Sequence, residues 1–204
     1  GDEGFAGVPG GMQRVNDVAF SGDGEPTSYG GFSDAVGRAI ALRDRHGLSD
    51  VKIAVLSNAT LFHRPTVRAG LDLLAENNGE IWAKLDAGTE AYYRLIDRTS
   101  VPLDRVMANL LTVGRGQAIV IQSLFMAVHG EAVGDDEFEA YVDRLGALLD
   151  GGCRIKLVQL YTTARRPAES YVTRLDDDRL DAMAARLRAR LPGLACEVYY
   201  GAGE

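Results

Sequence analysis

Residues 51–87, VKIAVLSNATLFHRPTVRAGLDLLAENNGEIWAKLDA, decide how this chain folds. Val51 to Leu56 is a short run rich in branched aliphatic residues, the signature of a buried strand. Arg64-Pro65 then places a proline where a first helical residue belongs, and Val67, Leu71 and Leu74 recur at three-to-four spacing behind it. A second apolar run, Glu80 to Leu85, follows. Strand, helix and strand in that order predict two parallel strands joined by a right-handed crossover.

The same unit repeats outward in both directions. Further strands are predicted at Val18-Ala19-Phe20, Ala118 to Phe125, Arg154 to Tyr161 and Cys196 to Tyr199. Helices are predicted after Ser33, read as an N-cap, and over Thr89 to Asp97, Pro102 to Val113, Asp135 to Leu149 and Asp177 to Leu191. Gly151-Gly152 and Pro192-Gly193 act as breakers. The expected fold is α/β, a partial (β/α)6-type TIM-like barrel of parallel strands buried on both faces. Six candidates fall short of the eight strands of a closed barrel. Residues 1–14, with five glycines and no apolar period, read as a loop or linker, and 15–204 as the barrel. The expectation is therefore that the first βα unit is missing and that a partner chain, or that missing N-terminal segment, covers the unpaired edge of the strand at Val18.

Composition narrows the function classes. The 204 residues are 46% hydrophobic and 25% charged, ordinary for one globular domain. No run approaches the length of a membrane span, and Gly1-Asp2-Glu3-Gly4 lacks the basic flank and apolar run of a signal peptide. A net charge of −7 gives the whole chain no long-range attraction to a nucleic-acid backbone and leaves nucleic acid only a local basic patch. Two cysteines, Cys153 and Cys196, are too few for a disulfide framework, so a reducing cytoplasm is expected.

Ligands of parallel βα folds collect at the carboxyl ends of strands. Five successive predicted ends are polar: Ser21-Gly22-Asp23-Gly24-Glu25-Pro26-Thr27, Ser57-Asn58-Ala59-Thr60, Lys84-Leu85-Asp86, Gln122-Ser123, and Tyr161 to Pro167. Turn and cap chemistry explains any one of them equally well. Lys84 and Asp86 share a side of their strand at period two, so these charges need each other or a ligand. The glycines of the first loop let backbone approach a ligand, and Glu25, ahead of Pro26, is placed to accept from an amine.

Gly22-Asp23-Gly24-Glu25-Pro26 directly after a strand resembles the GGEP loop of the radical S-adenosylmethionine superfamily, where that loop binds the methionyl amino group. Leu56 to Thr60 is similar to the family's TNG turn. Ala83 to Ala87 is similar to its DLK or LDA strand, and Thr89 to Arg98 resembles the helix that follows in wyosine-forming tRNA enzymes. Arg154 to Glu169 resembles a late strand with its arginine-proline loop. The likeness runs over residues 15–200.

The resemblance implies an S-adenosylmethionine site: Gly22, Asp23, Gly24 and Glu25 around the ammonium, Ser57 and Asn58 beside the cofactor, Lys84 and Asp86 facing carboxylate and ribose, Gln122 reaching ribose, Leu160 and Tyr161 bordering adenine. It implies reductive cleavage to a 5′-deoxyadenosyl radical that modifies an unknown substrate. That chemistry needs a [4Fe-4S] cluster on CxxxCxxC, and this sequence has no such motif. The cluster is expected only with the missing N-terminal segment.

The alternatives are a cluster-free barrel that binds S-adenosylmethionine, a nucleoside or a protein partner without catalysis, and a hydrolase using Glu25 with Asp86. His46, His63 and His129 lack the spacing of metal ligands. Arg165-Arg166 suits either an anion clamp or a solvated loop. Arg186, Arg188 and Arg190 suit an outer helix face better than RNA.

Overall fold

The computed structural model describes residues 7–22 and 24–201. Six parallel strands form one open sheet: β1 (Asp17–Phe20), β2 (Lys52–Ser57), β3 (Gly79–Lys84), β4 (Ile119–Leu124), β7 (Ile155–Tyr161) and β9 (Cys196–Tyr199), adjacent in that order. Each predicted strand has its counterpart. Crossovers run through α1 (Phe32–Arg45), α2 (Pro65–Glu76), α3 (Glu90–Asp97), α4 (Leu103–Gly116), α5 (Asp135–Asp150) and α6 (Asp177–Arg190). The sheet does not close, so this is a partial TIM-like barrel.

Three short strands were not legible in the sequence. After Phe125 the chain leaves the sheet and forms β5 (Met126–Val128) and β6 (Glu131–Ala132), and β8 (Val172–Arg174) joins them in a small antiparallel sheet ordered β6-β5-β8. Two or three residues carry no usable hydrophobic period.

Side-chain alternation assigns the two faces of the main sheet. Ile53, Val55, Ile81, Ala83, Ile119, Ile121, Val158 and Leu160 are buried against apolar residues of the helices, in one continuous core with Val36, Leu74, Leu110, Leu145 and Leu187. Each fully buried aliphatic side chain contributes about 1.5–3 kcal/mol, so this layer dominates stability. The other face carries Glu80, Trp82, Lys84, Gln122, Gln159, Tyr161 and Tyr199 and is only partly buried. The expectation of strands buried on both faces is therefore corrected: helices make one face dry, and the concave face is polar and aromatic.

At the base of that face Glu80 receives the ammonium groups of Lys52 and Lys156 and, through Oε2, the Trp82 indole N–H at 3.0 Å. A register shift near Ile119 leaves Lys156 as an extra residue of β7 opposite β4. Burial would raise the Glu80 pKa, but its hydrogen bonds to Lys156, Lys52 and Trp82 outweigh this and lower it to about 2.

Local signals place the helices. Pro65 begins α2 as predicted, and the Thr89 hydroxyl accepts from Tyr92 N at 3.2 Å to cap α3. Ser33 is not an N-cap: α1 starts one residue before it, with Gly31 at the cap. The loop before α3 seats directly on α5. A Cβ at Gly88 would lie 2.1 Å from Tyr141 N, so only glycine fits there. Glu137 of α5 accepts from Gly88 N at 2.6 Å and from the Thr89 hydroxyl at 2.6 Å. These contacts fix α3, whose last residue is Asp97.

Candidate functional site

The carboxyl ends of β1, β2 and β3 enclose a cavity of about 480 Å³ lined by Ser21, Gly22, Gly24, Glu25, Leu56, Ser57, Asn58, Lys84 and Asp97. The structure thus brings together Gly22, Gly24, Glu25, Ser57, Asn58 and Lys84 of the predicted set. Asp23 lies outside the described residues. Gly22 sits at φ +138°, a backbone state that favours glycine.

Glu25 is not a free acceptor. Its Oε1 accepts from Thr27 N at 3.1 Å, the Thr27 hydroxyl at 2.5 Å and the Ser57 hydroxyl at 2.7 Å; Oε2 accepts from Asn58 N at 2.7 Å. The carboxylate therefore ties the glycine loop to the end of β2. The Asn58 Oδ1 is likewise occupied, by the amide and hydroxyl of Thr60 at 3.1 and 2.7 Å. What these residues offer a ligand is mainly backbone, with Oε2 of Glu25 keeping one lone pair.

Lys84 and Asp86 satisfy each other, as the period-two spacing allowed. Lys84 Nζ lies 3.0 Å from Asp86 Oδ2 and 2.9 Å from the Tyr161 hydroxyl, while Asp86 Oδ1 accepts from Leu124 N at 2.7 Å. Burial would depress the Lys84 pKa, yet the Asp86 charge and Tyr161 hold it above the usual lysine value. One of the three ammonium donors remains for a ligand. Asp86 is only 2% exposed and does not line the cavity. With Glu25 and Asp86 both engaged by the protein, neither is set up as a hydrolytic acid or base.

Asp97 was missed although the end of its helix was predicted, because a helical period does not say that the last side chain turns toward the strand ends. It enters the cavity from the end of α3, and its Oδ2 is shielded from water without a hydrogen-bond partner among the described residues. Burial raises its pKa to about 7; Asp86 pushes the same way and Lys84 opposes. It is a carboxyl poised to change protonation near neutral pH.

A second cavity of about 260 Å³ lies on the concave face, lined by Trp82, Gln122, Gln159, Tyr161, Thr162, Ala164, Tyr199 and Tyr200. Gln122 and Tyr161 belong here and not with the first cavity. Leu160 points the opposite way, into the apolar core with no exposure, so it cannot border a ligand on this face; strand alternation separates it from Tyr161. The signal for this cavity was present in the sequence as the period-two polar pair Gln159 and Tyr161 with Gln122 on the neighbouring strand; Ser123, next to Gln122, faces the core and bonds to Tyr141.

The residues present do not fit an iron–sulfur cluster. No group of three metal-ligating side chains occurs among the described residues. Cys153 is buried, and its Sγ fills the space over Gly114, where a Cβ would meet it at 2.1 Å. Burial raises the pKa of both thiols, opposite to what a thiolate ligand needs. His129 stacks on Tyr171 with ring centres 4.4 Å apart, and His46 caps α1. Arg186 and Arg190 pair with Asp135, Glu139 and Asp143 of α5, and Arg188 donates to the Cys196 carbonyl. Arg165 and Arg166 stand exposed in the loop after β7. No helix among the described residues is long and apolar enough to cross a membrane.

No protein-family model matches the sequence, and no curated protein does. Among solved structures the chain is similar to a domain of pyruvate-formate lyase-activating enzyme from Bacteroides vulgatus ATCC 8482. The TM-score is 0.61 at 16% identity, over 90% of this chain and 99% of that one. That likeness establishes the fold: this chain has the partial-barrel architecture of a domain from an activating enzyme.

Proposed function

We propose that this chain is the S-adenosylmethionine-binding part of a radical S-adenosylmethionine enzyme, and that its first cavity holds the amino-acid end of that nucleoside. One observation carries the reading: a single cavity presents a glycine loop clamped by Glu25, a lysine with a spare donor, and a carboxyl whose Oδ2 has no partner among the described residues. An α-amino acid has opposite charges on adjacent atoms, and this cavity offers opposite charges at Lys84 and Asp97. The fold shared with an activating-enzyme domain supports the same reading.

In this scheme the ammonium is held by the carbonyls of Gly22 and Gly24 and by Asp97, and the carboxylate by Lys84. Asp86 and Tyr161 keep the Lys84 ammonium charged and oriented. When a cluster is bound, the cofactor supplies one-electron cleavage of its sulfonium; the residues of this chain bind, orient and exclude water. They do not ligate the cluster, and the binding role is what this chain performs by itself.

Calorimetric titration of S-adenosylmethionine into the chain tests the proposal. Binding should be saturable at one site, and Asp97→Asn should weaken it about tenfold, the effect of one charge-assisted hydrogen bond. Absence of binding to the unaltered chain sinks the reading.

A further inference from the structure

The loop between β7 and β8 carries positive charge that neither cavity above uses. A third cavity, of about 660 Å³, is lined by Arg165, Arg166 and Arg174 together with Thr163 and Thr173, and no acidic side chain lines it among the described residues. Acids outnumber lysines and arginines in this chain by 29 to 22, and Arg144, Arg179 and Arg190 each find one. Arg165 and Arg166 have no hydrogen-bond or ion-pair partner among the described residues. Arg174 has Asp177 at 3.8 Å, an exposed pair of little strength. Glu169, the acid of the same loop, is spent on Arg98 at 2.9 Å.

The loop that carries these arginines is anchored toward β8. β8 pairs with β5, Met126 opposite Arg174, and Leu175 N donates to the Thr162 hydroxyl at 2.8 Å beside the end of β7. Arg98 donates to Glu169 and to the Tyr171 hydroxyl, and Tyr171 stacks on His129. The same loop also walls a fourth cavity, of about 490 Å³, whose lining includes Leu95, Ile96, Leu124, Met126 and Val128. Arg98 and Glu169, the charged residues of that cavity, neutralise each other. Thr163, Pro167 and Val172 line both cavities, so a cationic concavity and an apolar one adjoin.

We propose that the arginine cavity holds the phosphate of a small phosphate monoester whose organic part is apolar and lies in the adjoining cavity. A guanidinium fork matches phosphate oxygens two at a time, and a monoester phosphate offers three oxygens and nearly two charges to three arginines and two hydroxyls. A carboxylate has one charge and two oxygens and leaves part of that set unused. A nucleic-acid backbone is disfavoured, because Asp176, Asp177 and Asp178 follow directly at the start of α6 and repel a long polyanion. The inference goes beyond the proposed function and does not rest on it, since S-adenosylmethionine carries no phosphate.

The intact chain, in phosphate-free buffer of low ionic strength, is titrated with phenyl phosphate, inorganic phosphate, benzoate and a single-stranded oligonucleotide, and binding is read from the amide NMR shifts of residues 163–174. Phenyl phosphate should bind saturably at one site. Inorganic phosphate, which lacks the ring, should bind about tenfold more weakly, and so should benzoate, which keeps the ring but has one charge. The double substitution Arg165→Gln with Arg166→Gln should weaken phenyl phosphate about thirtyfold, and Arg174→Gln about fivefold. All three side chains are exposed, so the melting temperature should stay unchanged. The proposal is overturned if phenyl phosphate leaves these amides unmoved, if inorganic phosphate or benzoate matches it, or if the double substitution has no effect. It is equally overturned if the oligonucleotide binds more tightly than phenyl phosphate and loses that affinity in the double variant, which would make the loop a nucleic-acid contact.

Discussion

Glu25 shows how one side chain can look like a ligand contact and act as a brace. With four donors converging on its carboxylate, its loss frees two hydroxyls and two amides around the end of β2. Glu25→Ala should therefore cost about 3 kcal/mol in urea unfolding, and Glu25→Gln about 1 kcal/mol, because the amide keeps one acceptor. Asp97 is the opposite case, a carboxyl that burial disfavours. Its folded pKa of about 7 lies above the unfolded value near 4, so the native state holds a proton that the unfolded chain has released. Its contribution to stability therefore falls as pH rises from about 4 to about 7. Lys84, Asp86, Tyr93 and Tyr161 are the titratable groups that face it from neighbouring segments. Asp97→Asn should leave stability unchanged near pH 4 and raise it near pH 8, measured by urea midpoints across that range. An equal difference at both ends contradicts this account of Asp97.

At the scale of elements, close approaches decide where the helices sit. Gly114 of α4 faces Cys153, whose Sγ lies 2.1 Å from where a Cβ would stand, with the Cys153 Cβ at 3.3 Å. Gly114→Ala should destabilise by about 1–3 kcal/mol through overpacking. Removing the sulfur at the same time should relieve most of that cost, giving a coupling of about 1–2 kcal/mol in a double-mutant cycle with Cys153→Ala. Additive costs would mean that the α4 backbone, not the thiol, resists the methyl group. The helices themselves were legible because their signals are local: Pro65 at the start of α2, Thr89 capping α3, and apolar spacing throughout α4 and α5. The short strands were not: β5 and β6 form a hairpin across His129-Gly130 too short to show a hydrophobic period, and β8 pairs with β5 from a segment far along the chain.

For the molecule as a whole, one dry face and one wet face predict uneven local stability. Strands β3 and β4 have a parallel neighbour on both sides and full helix cover, whereas β1 pairs only with β2 and is largely exposed. Amide hydrogen exchange should be slowest in β3 and β4 and fastest in β1 and the β6-β5-β8 sheet. Protection of β1 equal to that of β3 would show that its open edge is covered in solution, as the sequence led us to expect. The main sheet has two such edges, and the Trp82 cavity lies on the side without helices.

The amino-acid sequence by itself determined the α/β class, the six parallel strands in their order, and the polar character of the strand ends. Each follows from near-neighbour periodicity and from turn chemistry, which need no partner far along the chain. It also placed the glycine loop, the Ser57-Asn58 turn and Lys84 in one site, because successive strands of a parallel sheet present their ends together. Only the tertiary structure decided what those groups are free to do. Glu25 is consumed by donors from two loops, Lys84 is divided between Asp86 and Tyr161, Asp97 arrives from the end of a helix, and Leu160 faces away from its neighbour Tyr161. Hydrogen-bond saturation is a property of distances between residues remote in sequence, and register across the sheet, not residue type, sets those distances.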